Sequence, residues 1–495
     1  YLNGANNNTA VGYGVFYTLT SGDDNTSVGK GSANNITTAS GSTFLGKDAG
    51  GTLTTGNMNI AIGYDAMNGG TTTGDNNIAI GVSAGQALTS GHTNVLIGKE
   101  AGQRITTMTQ VVAIGYQAGD RLIATGGTDQ VVDGAILIGY QAGRNFAGGQ
   151  ETIAIGKWAL YTHTNAGWNT VIGTKAAYES DEMDYSVVIG HQAGYGNTSG
   201  TIGGSGLVIV GKDAAYQMVD IDDAVIIGYK AGYSTDVASG SVFIGRDAGY
   251  TVTTGNSNIA VGYGSMGGST VTGDFNIAVG YDAGDAITSG TRNILMGKDA
   301  GGVITSAADS VIIGHQAGVA AASNGNNIFI GSYAGADADD ATVNSTNNVY
   351  IGDDAGRYLD DGQNNVALGY NAMLSADSDG QNALRNTALG ARALAGITTG
   401  DDNVAVGQSA GGGSTTISQS VFIGREAGDA ISTGNANIAV GYGSMGGSAT
   451  TGNWNIAIGY DAGDALTTGY SNILMGQNAG GATTTGANNV MIGPS

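Results

Sequence analysis

Short apolar runs that each end in glycine recur along the whole chain at nearly constant spacing. Each run holds a β-branched residue, a second residue that is almost always apolar, an aliphatic residue and glycine, as in IAIG at 60–63. There are 28 copies, and 20 of the 27 intervals between their glycines are 17 residues long. Such a period is typical of one short unit stacked on itself many times. It predicts an all-β parallel β-solenoid, or β-roll, of about 28 rungs that runs over residues 1–495 as one continuous shaft.

Each repeat, or rung, is described by counting from its recurring glycine, which is position zero. Position −4 is Asn in 18 rungs, and stacked amides can bond to one another along a column. A second extended run, such as TLTTG at 52–56, is expected to point one residue inward at position +7, as at Leu53 and Leu88. Two strands and two turns per rung follow from this pattern.

The three residues before each glycine predict a strand that is buried on both faces. Positions −3 and −1 share one face, which we assign to the interior of the rung. Position −2 lies on the other face, yet it is apolar in 27 of 28 copies. We therefore expect position −2 to pack on further copies of the chain in a homo-oligomer; the alternative is a wide single-chain helix packed on both sides. The expected interface residues are Ala61, Ala79, Phe243, Ala260, Ala278, Phe422, Ala439 and Ala457.

Position +1 forms the most distinctive outward column, because it is tyrosine in ten rungs and lysine or arginine in eight. One interpretation is structural, with tyrosines covering the rung edge and cations, as at Lys47, placed between acidic neighbours such as Asp48. The other is functional, since aromatic faces pack on sugar rings and carboxylates bind hydroxyls of surface glycans. The candidate binding residues are Tyr64, Tyr116, Tyr140, Tyr229, Tyr263, Tyr281, Tyr442 and Tyr460.

Composition narrows the classes of function. The formal charge is −23, which opposes binding to nucleic acid or to an anionic membrane surface. No run of 18 apolar residues occurs, so no membrane insertion is expected. Cysteine is absent, and the four histidines lie in no recognisable catalytic motif, so we predict no catalytic residue, no enzyme activity and no cofactor.

Four long rungs, 115–139, 190–211, 331–352 and 369–390, carry extra residues that are expected to bulge outward as loops. Acidic runs lie at Asp337–Asp340 and Asp377–Asp379 within them, and another lies at Asp220–Asp223. Such runs can hold Ca²⁺, although they are more often simply solvated. A longer repetition is also present, because residues 46–115, 245–314 and 424–493 are three related blocks.

The rung sequences resemble a known group of surface proteins. VVAIGYQAG at 111–119, ILIGYQAG at 136–143 and NIAIGYDAG at 455–463 are similar to the repeats of tail-fibre-domain proteins, which occur in bacteriophage fibres and large bacterial surface proteins. The strand motif also resembles the head of trimeric autotransporter adhesins, whose rung is shorter. This resemblance implies a left-handed β-roll, a homotrimer, a place outside the cell on a cell surface or virion, and attachment to a host or substrate.

The expected function is the structural shaft of a surface appendage, either a phage tail fibre or a cell-surface adhesin, that mediates attachment. The alternative is a purely structural extracellular filament or surface-layer component without a receptor. An ice-binding role is a third reading, prompted by the threonine-rich turns.

Overall fold

The computed structural model describes residues 4–122, 133–146, 149–163, 167–196, 202–236, 238–319, 325–336, 345–359, 361–375 and 382–494. The chain forms two compact units, Tyr1–Asp247 and Ala248–Ser495. Among the described residues of both units there are strands and turns but no helix. A single continuous shaft over residues 1–495 stays a prediction.

The first unit repeats one three-residue strand per rung and adds four further strands. Each repeated strand pairs in parallel with the strand of the next rung, so that Ile60 lies beside Ile78 and Ala61 beside Ala79. The repeated strands described in this unit are Thr9–Val11 (β1), Thr26–Val28 (β2), Thr43–Leu45 (β3), Ile60–Ile62 (β4), Ile78–Ile80 (β5), Val95–Ile97 (β6), Val112–Ile114 (β7), Ile136–Ile138 (β8), Ile153–Ile155 (β10), Thr170–Ile172 (β12), Val187–Ile189 (β14), Val208–Val210 (β16), Val225–Ile227 (β17) and Val242–Ile244 (β18). The further strands form two parallel pairs and are Asn145–Phe146 (β9), Thr162–His163 (β11), Ser180–Asp184 (β13) and Ile202–Ser205 (β15).

The second unit is built in the same way. Its strands also pair in parallel with equivalent residues side by side, as Ile277 does with Ile294. They are Ile259–Val261 (β19), Ile277–Val279 (β20), Ile294–Met296 (β21), Val311–Ile313 (β22), Ile328–Ile330 (β23), Val349–Ile351 (β24), Val366–Leu368 (β25), Thr387–Leu389 (β26), Val404–Val406 (β27), Val421–Ile423 (β28), Ile438–Val440 (β29), Ile456–Ile458 (β30), Ile473–Met475 (β31) and Val490–Ile492 (β32). The predicted parallel β-solenoid with a 17-residue period is thus confirmed.

The two faces of the repeated strand are the reverse of the prediction. Position −2 points into the interior of its own chain, whereas positions −3 and −1 are partly exposed on the outside. The residues expected at an oligomer interface are all 0% exposed within one chain, so this assignment is wrong. They are Ala61, Ala79, Phe243, Ala260, Ala278, Phe422, Ala439 and Ala457.

The thin interior explains why position −2 takes the inward place. The −2 side chain packs directly on the glycine at position +4, where a Cβ on Gly50 would lie 2.3 Å from the ring of Phe44. The alanines at position +3, such as Ala66 and Ala84, are fully buried as well. Such a narrow space holds one column of residues per strand, and the branched residues on either side are left facing outward.

The glycine at position zero is required by its backbone. Its φ lies between +128° and +145° in the described rungs, a conformation that residues with a side chain rarely adopt. Glycines of successive rungs also stack, so that a Cβ on Gly280 would lie 2.4 Å from the carbonyl oxygen of Gly297. The recurring glycine therefore serves both the turn after the strand and the close spacing of rungs.

A buried column of asparagines at position −4 confirms the predicted amide ladder. Oδ1 of Asn258 accepts hydrogen bonds from the backbone N–H and the Nδ2 of Asn276, at 2.8 and 3.2 Å. Nδ2 of Asn276 also donates to the carbonyl of Gly290 at 2.7 Å, and Asn293 continues the column. Each amide thus bonds to the asparagine of a neighbouring rung and to a backbone carbonyl in a turn.

The second extended run forms a strand in only some of the described rungs. Positions +7 point inward as expected, and the side chains of Leu53, Leu88, Val252, Ile287 and Leu466 are fully buried. Beyond β9, β11, β13 and β15, the run is mostly turns joined by isolated bridges. Equivalent bridges occur at the 18-residue rung of each related block, namely Leu53 with Thr72, Val252 with Val271 and Ile431 with Thr450.

Candidate functional site

The candidate tyrosines at position +1 stand at the surface beside the turn that follows each strand. The recurring glycine turns the chain outward, and the residue at +2, such as Asp65, takes a positive φ that sharpens the turn. Tyr64, Tyr281 and Tyr460 are 47%, 48% and 52% exposed, and the other predicted tyrosines are half-buried or exposed. The structure thus brings the predicted residues onto one kind of surface position, as separate pairs and single rings.

Neighbouring rungs cover the faces of these rings. The ring centres of Tyr263 and Tyr281 are 5.1 Å apart with planes 5° from parallel, and Tyr442 stacks on Tyr460 at 5.2 Å. Tyr116 and Tyr140 stack in the same way at 5.2 Å. A stacked ring has one face closed to a sugar, so these pairs offer mainly ring edges, hydroxyls and outer faces.

Basic side chains cover several of the remaining ring faces. The Lys47 ammonium lies 4.6 Å from the ring centre of Tyr64, and Lys212 and Arg246 lie 5.2 and 5.5 Å from that of Tyr229. Contacts of this kind are attractive because the negative face of the ring faces the cation, although solvent weakens them at exposed sites. The column therefore contains both stacked rings and cation–ring contacts.

The same cations pair with the acidic residue that follows them, as the structural interpretation expects. The Arg246 Nε lies 3.1 Å from Oδ2 of Asp247, and Lys47 donates a hydrogen bond to Asp48 while both side chains remain partly exposed to solvent. Exposed pairs of this kind contribute little stability. The pairs formed within position +1 and +2 are Lys47–Asp48, Lys99–Glu100, Lys212–Asp213, Arg246–Asp247, Lys298–Asp299 and Arg425–Glu426.

A longer aromatic column at position +5 was missed by the sequence analysis. Its five tyrosine rings stack with centres 4.9–5.2 Å apart and planes within 8° of parallel. Burial raises the pKa of the hydroxyls of Tyr178 and Tyr195 within it. The signal was present in the sequence as tyrosine at +5 in consecutive rungs. The stacked rings are those of Tyr161, Tyr178, Tyr195, Tyr216 and Tyr233, and Tyr250 holds the same position in the next rung of the sequence.

The outward face of the repeated strands is a second candidate surface. It carries positions −3 and −1, which are aliphatic or threonine in every rung and never charged. Leu368, Ile423 and Ile458 are 47%, 43% and 36% exposed, and most other residues of this face are also partly exposed. An apolar face of this extent in contact with water is unusual for a parallel sheet, because such sheets are normally covered on both sides.

The acidic runs give no metal site among the described residues. Asp337–Asp340 and Asp377–Asp379 lie outside the described residues. At Asp220–Asp223, Oδ1 of Asp222 accepts the backbone N–H of Ser205 at 2.7 Å. Within the described part of the chain, no three His, Asp or Glu side chains stand close enough together to hold an ion.

The threonine-rich turns use their hydroxyls within the chain. The Thr288 Oγ1 donates to the carbonyl of Thr305 at 2.9 Å, and Thr467 donates to Thr484 at 3.0 Å. These hydrogen bonds tie neighbouring rungs together.

Across the described ranges, no helix is long and apolar enough to cross a membrane. Comparison with models of known protein families found no match. Comparison with curated proteins found no match either.

Proposed function

We propose that the chain is the structural shaft of an extracellular fibre, assembled from copies of itself and carried on a virion or a cell surface for attachment. The observation that carries this proposal is the uncharged apolar face formed by positions −3 and −1 in both units. A soluble protein rarely leaves such a face uncovered. The homotrimer is the assembly that the sequence resemblance implies.

Another copy of the chain is the partner that fits this face best. The face repeats with the spacing of the rungs, and only a partner with the same spacing can match it rung by rung. The charge of −23 would keep copies apart unless the contact excluded charged residues, as positions −3 and −1 do. Burying the exposed part of a residue such as Ile458, which is 36% exposed, contributes roughly 1 kcal/mol, and many rungs contribute together.

Light scattering on matched variants tests the assembly. Replacement of Val279, Val440 and Ile458 by Lys places three charges on the outward face, and we expect the molar mass to fall to that of one chain, 49.0 kDa. The control replaces the tyrosine two residues later in the same rungs, and this variant should keep the mass of the unchanged protein. The control changes Tyr281, Tyr442 and Tyr460 to Lys.

Circular dichroism would show that both triple variants keep their β-structure. A single-chain mass for the unchanged protein would contradict the proposal. An equal loss of mass in both variants would also contradict it, because the contact would then not depend on the apolar face.

The stacked tyrosines favour a second candidate, a purely structural extracellular filament without a receptor. Rings such as Tyr263 and Tyr281 stabilise their own rungs and have closed one face to a ligand. Electron micrographs separate the two functions, since end-to-end polymers would favour the filament. Retention of the purified protein on host cells, with a loss on deletion of surface glycans, would favour attachment.

A further inference from the structure

A polar cleft of about 480 Å³ opens on the second unit at the rungs that begin with Gly369, Gly390, Gly407 and Gly424. Asn371, Ser375, Arg392 and Asp429 line it together with short side chains and glycine backbone. Its volume lies within the range of sites that bind small molecules, roughly 300–1,000 Å³. The cleft lies apart from the apolar outward face, because its residues belong to positions +2 to +6.

The two middle rungs of the cleft carry short residues at position +5, between Leu374 and Asp429 at the same position of the flanking rungs. In other rungs this position holds residues such as Gln86 and Gln103, whose amides bond to each other at 2.9 Å. At the cleft the equivalent residues are Ala395 and Gly412. The space that an amide side chain fills elsewhere is therefore open to solvent or to a ligand.

Two buried oxygen atoms of the lining residues have no hydrogen-bond partner. They are Oδ1 of Asn371 and Oγ of Ser375, and Ser375 is only 2% exposed. A buried polar atom without a partner costs about 1–3 kcal/mol, and native structures contain few of them. Both atoms are shielded from solvent in the structure, so a ligand would recover part of this cost by turning one of these side chains toward itself.

The two charged side chains that line the cleft do not form an ion pair with each other. Arg392 and Asp429 form no ion pair with any described residue, although elsewhere in this unit Arg385 lies 2.6 Å from Asp402. Burial, followed by the nearby Glu426, raises the pKa of the Asp429 carboxyl. The Asp429 carboxylate thus lies partly buried without an ion-pair partner among the described residues, whereas Arg392 is exposed at the rim of the cleft.

We propose that this cleft binds a neutral sugar of one or two rings through the side chains of Asn371, Ser375, Arg392 and Asp429. A sugar hydroxyl both donates and accepts, so it can satisfy an unpaired acceptor such as Asn371 Oδ1 and an unpaired donor such as Arg392. A simple anion would match Arg392 but leave the acceptors of the cleft unpaired. A simple cation would match Asp429 but leave Arg392 unpaired.

Sugar binding at this cleft rests on the proposed attachment function for its biological meaning. It adds to that function a specific site and a class of receptor group. It places recognition in one cleft instead of in the repeated tyrosine column. The tyrosine at position +1 beside it, Tyr370, is 51% exposed, and among the described residues its ring joins no ring stack and no cation–ring contact. It therefore differs from Tyr263 and Tyr281 in offering an open ring face near the cleft.

The test measures saturation-transfer NMR signals of a panel of neutral mono- and disaccharides with the purified full chain. Ala395→Gln fills the cleft with the side chain that position +5 carries in other rungs, and Asp429→Asn removes the carboxylate. We expect each change to weaken binding of the best sugar about tenfold or more. Asp464→Asn, a change of the position +5 carboxylate of a rung outside the cleft, should leave binding unchanged.

Absence of binding by every sugar of the panel would overturn the inference, and so would binding that survives Ala395→Gln. Failure of this inference and failure of the proposed function can be told apart. Sugar binding at the cleft by a chain that is monomeric in light scattering supports the inference and rejects the assembly. Retention of an assembled fibre on cells that is unaffected by Ala395→Gln supports the fibre and rejects the cleft as its receptor site.

Discussion

Single residues decide the backbone of each rung. Glycine at position zero was evident from the sequence, but the reason for it lies in a positive φ and in the contact of glycine on glycine across rungs. The direction of position −2 could not be predicted, because an apolar residue on each face of a strand does not reveal which face is inside. The narrow interior settled it, as the contact of Phe44 with Gly50 illustrates.

Gly280→Ala should strongly lower the thermal stability of the second unit. The new Cβ would meet the Gly297 carbonyl oxygen at 2.4 Å in a conformation with φ +143°, and such strain costs a few kcal/mol. Differential scanning calorimetry measures the shift. Gly302→Ala is the control, since its φ is ordinary and its nearest contact is 3.3 Å, and a similar loss there would contradict the account.

Removal of the negative charge of Asp285 should stabilise the fold, and the size of this effect should depend on pH. Burial, with repulsion from Asp282 and Asp299, raises the pKa of this carboxyl. A raised pKa in the folded state means that the ionised form destabilises the fold, so stability should rise as pH falls through that pKa. Asp285→Asn should therefore raise the melting temperature at pH 7 and have little effect at a pH where the carboxyl is protonated.

The comparison for that experiment is Asp309→Asn, because Arg292 lowers the pKa of Asp309 and its charge favours the fold. This variant should be less stable than the unchanged protein at pH 7, by a small amount because both partners are exposed. A gain at Asp309, or no gain at Asp285, would contradict the assignment of these charges.

The elements owe their regularity to side-chain ladders as much as to strands. The asparagine column was predictable because one polar residue recurs beside an apolar run, and Asn258 and Asn276 form the expected contacts. A second strand was predicted in each rung, whereas TLTTG at 52–56, for example, makes only a single bridge. The tyrosine column at +5 was visible in the sequence, but its stacking depends on the spacing of the rungs.

Asn276→Ala should lower the free energy of unfolding of the second unit by about 3 kcal/mol, because it leaves several buried groups without partners. Asn276→Ser should cost less, since serine occupies this column naturally and Oγ of Ser420 accepts the backbone N–H of Asn437 at 3.1 Å. Denaturant unfolding followed by circular dichroism measures both. Equal effects of the two changes would contradict the ladder.

At the scale of the whole molecule, both units repeat one plan that buries position −2 and exposes positions −3 and −1. The sequence predicts a strand that is apolar on both faces, and the structure places position −2 inside the chain, so that a partner copy on the outward face stays a prediction. The polar cleft at Arg392 and Asp429 could not be predicted, because it arises where short residues at +5 meet in space. We therefore propose that function depends on what covers the outward face and on what enters this cleft.

Cysteine reactivity in the assembled protein tests the central claim, which is that copies of the chain cover the outward face. The chain has no cysteine, so single replacements can be labelled without background. Ile458→Cys lies on the face, Tyr460→Cys on the exposed +1 column and Ala457→Cys in the interior, with exposed fractions of 36%, 52% and 0% at the native residues. The account predicts that a maleimide labels Ile458→Cys as slowly as Ala457→Cys and far more slowly than Tyr460→Cys. Labelling of Ile458→Cys as fast as Tyr460→Cys would show an open face and contradict the account.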